Sequence, residues 1–436
     1  MSIAEQVALA LPAGRSLGGV TTWTLELAGR LARERPVRLL EHATNRPDLV
    51  VDDGPPPNGV SRSLLTGLAP PNDVTVCEDD VMAFADHYAD GSPQIFVPNW
   101  SWGTYAAACA ATARDGGRSK IVSFVHADGP DYYDWATYYE SAITRFVAVS
   151  EQIRTELVDR LPHRSDDVIV LPYPVDADEN PPDRQLRDGP IRIVYAGRVA
   201  VVQKRILDLV DVARHLAAAR VDAEFRIIGG GPDEHTLADA LDAIDPHGTV
   251  RIHREPAVPA TSMGEVWRSA DVCLLTSAYE GTSIAMLEAM ASGAVPVVTA
   301  VSGTDALIDD GISGLRAPVG DTNRLAAHIA SLATDRTRLG EMSRAAHQTI
   351  AARGGTTRYD STLRRLLDDV SAAPDRVLDR TTPLLPGRHH AHLADVPAAL
   401  RGDHHAAKRI AYRLGASTWT RPLLQLRPYL EHRRSN

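Results

Sequence analysis

The stretch Ser277-Ala-Tyr-Glu280-Gly281-Thr-Ser-Ile-Ala-Met-Leu-Glu288-Ala-Met-Ala-Ser-Gly293-Ala-Val-Pro296-Val-Val sets two carboxylates eight positions apart around a glycine turn, a helix and an apolar strand. After Gly281 come good helix formers with Ile284, Leu287 and Met290 on one face, and Gly293 and Pro296 mark the stop beside the Val295 to Val298 run. Glu288 is expected inside the helix and Glu280 just before it. At about 1.5 Å and 100° per residue, helical positions eight apart fall on nearly one side, about 12 Å from each other. That separation suits the two ends of one nucleotide sugar.

Outward from this segment the same unit repeats. Strands are expected at Val7 to Leu11, Val37 to Leu40, Val74 to Cys77, Gln94 to Val97, Ile121 to Val125 and Arg145 to Val149. Helices are expected between them at Thr21 to Arg33, Gly103 to Ala113, Tyr132 to Ala142 and Glu151 to Arg160. A polar, Pro-rich interruption from Asp176 to Pro190 follows, and the alternation resumes with strands at Ile191 to Ala196, Glu224 to Ile228, Val250 to His253, Val272 to Leu275 and Val295 to Val298. The expected fold class is α/β, two doubly wound Rossmann-like domains facing across a cleft. The domains are drawn at residues 1–175, on the acceptor side, and 176–370, on the nucleotide-sugar side, with a basic His- and Arg-rich extension over 371–436.

Composition narrows the function. The 436 residues carry a net charge of -10, which argues against a nucleic-acid partner. The balance is uneven, because residues 371–436 hold eleven Arg and Lys against five Asp and Glu. Within that extension Ala406 to Tyr412 and Leu423 to Leu430 suit short helices with basic faces, open to a peripheral membrane or protein contact or to simple packing on the domains. Cys77, Cys109 and Cys273 lie far apart, match no metal or redox spacing and point to a reduced, cytoplasmic compartment. The start reads as a buried strand with no signal-peptide pattern, and no apolar run reaches the roughly 18–20 residues of a membrane span. Peripheral contact at the inner face of a membrane stays open.

A nucleotide sugar presents a diphosphate, a ribose diol and sugar hydroxyls, and residues after several strands suit each. Gly18-Gly19 open the first helix, where backbone amides can approach an anion or the glycines merely ease a turn. Gly197-Arg198 and Lys204 follow the first strand of the second domain, a fork donor and a point charge for two phosphates. Lys204 stands out among only three lysines, the others being Lys120 and Lys408. Gly229-Gly230-Gly231-Pro232 form another glycine loop at the same sheet edge, bordering the nucleotide or simply turning. Eleven of 23 aromatics fall between Phe96 and Phe146, among them Trp100, Trp102, Tyr132 and Trp135, and they suit either helix packing or a glycan or lipid-linked acceptor. Asp176-Ala-Asp178 spells a DxD string, read as coincidental in a polar linker because Arg198, Lys204 and amides already neutralise a diphosphate. No metal site and no cofactor is expected, the nucleoside-diphosphate sugar being a substrate.

Together these segments resemble the retaining GT-B glycosyltransferases of the large family that includes bacterial mannosyl- and N-acetylglucosaminyltransferases. The resemblance runs from residue 5 to about 365 through Gly18-Gly19, His126, Val147 to Glu151, Gly197-Arg198, Lys204, Ile228 to Pro232, the Glu280-x7-Glu288 motif with Gly293 and Pro296, Ser302-Gly303 and Asp310-Gly311 to Leu315. It implies transfer of a sugar from a UDP- or GDP-sugar to an acceptor hydroxyl with retention, in polysaccharide or glycoconjugate biosynthesis. Arg198 and Lys204 would hold the diphosphate, with Gly18, Gly19 and Gly230 bordering it. Glu288 would take the ribose hydroxyls, and Glu280, Gly281, Thr282 and Ser283 would lie at the donor. His126 would face the anomeric carbon through its side chain or its carbonyl, and Tyr132 and Trp135 would face the acceptor. A nucleotide-sugar epimerase or phosphorylase on the same fold, or a non-catalytic sugar-nucleotide-binding scaffold, would keep many of these residues. Tyr173-Pro174 departs from the family, whose members carry Asn-Gly there.

Overall fold

The structure, a computed structural model, describes residues 5–16, 18–42, 54–65, 76–242, 244, 248–304 and 307–386. Two all-parallel sheets form the α/β core. The first contains β1 (Gln6–Leu11), β2 (Val37–His42), β3 (Val60–Leu65), β4 (Gln94–Val97), β5 (Lys120–Val125), β6 (Arg145–Ala148) and β7 (Val168–Val170), in the order β3-β2-β1-β4-β5-β6-β7. The second contains β8 (Ile191–Ala196), β9 (Ala223–Ile228), β10 (Val250–Glu255), β11 (Val272–Leu275), β12 (Val295–Thr299) and β13 (Leu315–Ala317), in the order β10-β9-β8-β11-β12-β13. Each sheet reverses direction next to its first strand, at β1/β4 and β8/β11, and ligands of such sheets gather at the carboxyl ends there. Helices on both faces leave the central strands buried throughout, so β4, β5 and β11 read as unbroken buried runs.

One expected strand, Val74 to Cys77, is not strand over its described half. Val76 and Cys77 lead into the helix Glu78–Tyr88, and Cys77 caps it while Asp80 Oδ2 accepts from the Cys77 N–H at 3.0 Å. Three acidic residues in the first turn favour helix there, and residues 74 and 75 lie outside those described. The third strand is instead the edge strand β3, whose exposed Ser61, Arg62 and Leu64 gave it no apolar signature. The helix expected from Tyr132 to Ala142 runs Pro130–Tyr138, started by Pro130 at its first position. The proposed helices at 406–412 and 423–430 lie outside the described residues.

The polar interruption is pinned to the second sheet. Arg184, fully buried, donates to the carbonyls of Ala270 at 2.8 Å and Trp267 at 3.0 Å, and Arg187 pairs with Asp271 at 2.9 Å. Both carboxylates of the DxD string are engaged: Asp176 accepts from Thr356 at 2.7 and 2.8 Å, and Asp178 pairs with Arg268 at 2.9 Å. The chain then returns to the first sheet. On the last described helix, Gly355–Ser371, Tyr359 accepts from Trp23 Nε1 at 3.1 Å, Arg364 pairs with Glu34, and Asp360 faces Arg30 at 3.5 Å. Residues beyond it stay on that domain, with Asp375 on Lys120 at 2.7 Å and the Leu384 carbonyl accepting from Tyr139 at 2.6 Å. Among the described residues no helix is long and apolar enough to cross a membrane.

Candidate active site

A cleft of about 470 Å³ opens between the carboxyl ends of the two sheets. It brings together Gly18, Gly19, His126, Tyr132, Trp135, Arg198, Lys204, Glu280, Gly281, Thr282, Ser283 and Glu288. Gly230 is the exception. Its neighbour Gly229 lines the cleft, while the Gly230 carbonyl accepts from Val199 N at 2.8 Å behind it.

The glycine loop after β9 is there for close approach. A Cβ on Gly229 would meet the Gly197 carbonyl oxygen at 2.0 Å, and one on Gly231 the Val199 oxygen at 2.2 Å. The loop is thereby laid on the backbone that carries Arg198. Arg198 keeps one partner, Gln203 Oε1 at 3.1 Å, and its Nε is buried with none. Such an orphan is costly, about 1–3 kcal/mol, unless something binds it, and an anion is the natural partner of a guanidinium. Lys204 closes the short helix Val201–Lys204 and its Nζ reaches Glu280 Oε1 at 2.5 Å; Ser277 Oγ donates to the same oxygen at 2.6 Å.

The loop holding Glu280 is fitted between both domains. A Cβ on Gly281 would stand 2.2 Å from the His126 carbonyl oxygen, and one on Gly303, whose φ is +81°, 1.9 Å from the Gly281 oxygen. Ser302 Oγ donates to the Glu280 carbonyl at 2.5 Å. Ser283 then caps the helix Ile284–Ala291, accepting from Met286 N, so the helix N-terminus opens on the cleft beside Thr282 and Ser283. One turn in, Glu288 accepts from Trp267 Nε1 at 3.2 Å; burial pushes its pKa up to about 7, against the Trp267 bond that lowers it. Ala257, Val258 and Met263 form an apolar patch of the same cleft.

On the facing wall His126 is 4% exposed. Its Nδ1 lies 2.9 Å from Tyr173 Oη and its Nε2 3.1 Å from Asn99 Oδ1. Asn99 Nδ2 is committed to the Ala10 carbonyl at 2.5 Å and Thr24 at 3.0 Å, so Asn99 Oδ1 accepts from Nε2–H and Nδ1 accepts from the tyrosine. Burial lowers the imidazole pKa to about 3, which keeps it neutral. Trp23 stands edge-on to it at 4.6 Å. Tyr173, the departure from the family pattern, therefore closes the cage around His126.

Of the expected acceptor residues, Tyr132 and Trp135 pack on each other at 4.9 Å, and Trp100, Trp102 and Asp131 share their wall. Tyr105 and Tyr139 are core, stacked at 5.6 Å. Asn99, Tyr173, Trp267, Tyr279 and the Val258–Met263 patch were not singled out in the sequence; only the Tyr173 departure carried a signal.

Two family models match in succession: "Glycosyltransferase Family 4" over residues 17–179 and "Glycosyl transferases group 1" over 190–335. The chain is 30% identical over 217 residues to a phosphatidyl-myo-inositol mannosyltransferase of Mycolicibacterium smegmatis, which is 48% of this chain and 54% of the relative. It is 28% identical over 248 residues to a D-inositol 3-phosphate glycosyltransferase of an Arthrobacter species, 54% of this chain and 57% of the relative. The chain thus spans about half the length of the curated relatives it matches. Among solved structures, the sucrose-phosphate synthase of Thermosynechococcus elongatus shares the fold with a TM-score of 0.67 at 17% identity, over 84% of this chain and 99% of that one. The pneumococcal O-GlcNAc transferase, solved with UDP and GlcNAc, gives 0.63 at 14% identity over 84% and 99%. Glycosyltransferase models thus match the two sheets in succession, and the two-domain GT-B architecture across both is shared with these solved structures.

Proposed function

We propose that the cleft binds a nucleoside-diphosphate sugar and transfers the sugar to an acceptor hydroxyl with retention of configuration and without a metal. The observation that carries this reading is the buried, unpartnered Nε of Arg198 beside Lys204, in one cleft with Glu288 and a capped helix N-terminus. Arg198, Lys204 and the helix amides hold the diphosphate; Glu288, steadied by Trp267, takes the ribose hydroxyls; Val258 and Met263 flank the base. Glu280 lies at the sugar. As the bond from the anomeric carbon to the phosphate oxygen breaks, the acceptor oxygen bonds that carbon from the same face and its proton passes to the departing phosphate. The caged, neutral His126 is no base here, and its carbonyl, against Gly281, is the group that sets the distance between the two walls. Tyr132 and Trp135 face the acceptor.

The test is a panel of UDP-, GDP- and ADP-sugars scored for thermal stabilisation, then for nucleotide release with and without acceptor, with Glu288→Ala as control. Stabilisation lost in Glu288→Ala and acceptor-dependent release support transfer, and anomeric analysis of the product decides retention. Sugar inversion without acceptor would make the protein an epimerase, and binding without turnover a scaffold. If no nucleotide sugar stabilises the wild type, the reading fails.

A further inference from the structure

The turn that carries Lys204 into the cleft is too small to hold itself. The helix Val201–Lys204 has four residues and none of them is buried, so neither length nor apolar packing fixes it. Its ends are fastened instead to the passages after β11 and β9, the strands on either side of β8. On the β11 side, Ala278 N donates to the Gln203 carbonyl at 2.8 Å, and Thr276 Oγ1 donates to the Lys204 carbonyl at 2.8 Å. On the β9 side, Asp233 Oδ2 accepts from Val201 N at 2.7 Å, and the Asp233 N–H meets the Val199 carbonyl at 3.3 Å. The turn closes on Arg205 at φ +48°, a left-handed conformation that a residue other than glycine keeps only where its surroundings impose it.

Asp233 departs from its local role to do this. It stands at the N-cap of the helix Glu234–Leu241, where an aspartate ordinarily accepts from the amides of its own helix, yet its side chain makes no cap there. The carboxylate caps the helix Val201–Lys204 instead, 32 positions earlier, and that helix has no cap from its own N-cap residue, Ala200. A local preference set aside in this way marks a gain made elsewhere. Arg198 has an anchor outside the turn, since Tyr195 Oη donates to its carbonyl at 2.7 Å. Lys204 lies on the turn itself, so it is the cation whose place depends most on the cap. We infer that Asp233 is a positioning residue for the diphosphate: it does not line the cleft, and it acts by fixing where Lys204 stands. The inference rests on the donor reading above and goes past it.

The full chain is tested by calorimetric titration with UDP and GDP, and whichever binds more tightly is carried through the variants. Asp233→Ala should weaken that nucleotide about tenfold, the size of one charge-assisted hydrogen bond. Asp233→Asn keeps an amide oxygen for the Val201 N–H and should return the Kd to within about threefold of the wild type, a rescue that loss of the carboxylate charge alone would not give. In a Lys204→Ala background, adding Asp233→Ala should cost less than about threefold, because the group it positions is already gone. Undiminished binding in Asp233→Ala, an Asn variant as weak as the Ala variant, or a full tenfold loss in the Lys204→Ala background overturns the inference. Failure of both nucleotides to bind the wild type is a different result: it overturns the donor reading, and the inference with it.

Discussion

The two walls of the cleft solve opposite problems. The first-domain wall is locked at its centre: His126 has both ring nitrogens committed, and its partner Asn99 is itself held by Ala10 and Thr24. The second-domain wall is charged and unfinished. Arg198 keeps a buried donor without a partner, Lys204 is parked on Glu280, and Glu288 is a carboxyl pushed up to about 7 by burial. A site that must bind an anion keeps cationic donors in reserve, whereas the cage around His126 leaves neither ring nitrogen unpaired. The difference teaches that, on the proposed function, the cations that would meet a diphosphate come from the second domain and a fixed geometry from the first.

The hardest blow to this contrast falls on the charged wall. Arg198→Ala is expected to lower nucleotide release about 10³-fold, the scale of deleting a preorganised donor to a leaving-group oxyanion, and Lys204→Ala about 10²-fold. Lys120→Ala, on an equally rare lysine that pairs with Asp375 away from the cleft, should leave release unchanged. Equal losses in Lys120→Ala would break the comparison. Next comes Gly281→Ala, where the walls touch. Its Cβ would fall 2.2 Å from the His126 carbonyl oxygen, so the loop carrying Glu280 must back away. A shift of about 1 Å costs about 10²-fold in turnover, while far-ultraviolet dichroism should stay as in the wild type because neither sheet is touched.

The same contrast governs what the sequence could reveal. The charged wall was legible because each piece is local: Gly197-Arg198 with Lys204, and Glu280 with Glu288, lie within one strand-to-helix passage each, where spacing speaks directly. The locked wall is assembled from Asn99 after β4, His126 after β5 and Tyr173 after β7, and no window of sequence contains two of them. His126 was found through resemblance, and its cage was not. The fold was legible wherever strands are buried on both faces, and was misread at β3, where an edge strand alternates polar residues and the apolar 74–77 run looked better. Sequence alone does not separate Gly230 from Gly229, because a glycine run shows that a loop passes close to other backbone and not which glycine lines the cleft.

A third expectation sharpens the charged wall through pH. With the native Glu288 pKa raised to about 7, the native protein holds a proton that the unfolded chain has already lost between the ordinary value of 4.5 and about 7. The group's contribution to stability is therefore full at low pH and declines as pH rises through that window. Donor binding runs the other way, because the ribose hydroxyls need the ionised carboxylate. Between pH 6 and 8 the ionised fraction rises about tenfold, so the Kd for UDP or GDP should fall about tenfold. Glu288→Gln should flatten that dependence and weaken binding at pH 8 about tenfold or more, as hydrogen bonds to a charged group contribute about 1.5–3 kcal/mol. Calorimetry at three pH values decides it, and a wild-type Kd that does not change with pH would remove Glu288 from the ribose.

The smallest effect tests the locked wall. Tyr173→Phe removes the hydroxyl that donates to His126 Nδ1 and leaves the ring stacked in place, its centroid 6.1 Å from the imidazole. Because Asn99 Oδ1 fixes the proton on Nε2, the histidine cannot answer by changing tautomer without confronting the Asn99 amide, and Nδ1 is left buried and unsatisfied. The expected cost is about 1–3 kcal/mol of stability, with turnover reduced only a few-fold. A neutral, caged imidazole contributes no titration in the working range, since burial holds its pKa near 3, so the loss must be the same at pH 6 and pH 8. Thermal melts and initial rates at both values are sufficient. A Tyr173→Phe variant whose rate acquired a new pH limb between them would mean that His126 handles a proton during turnover, and the division between a charged wall and a locked one would fall with it.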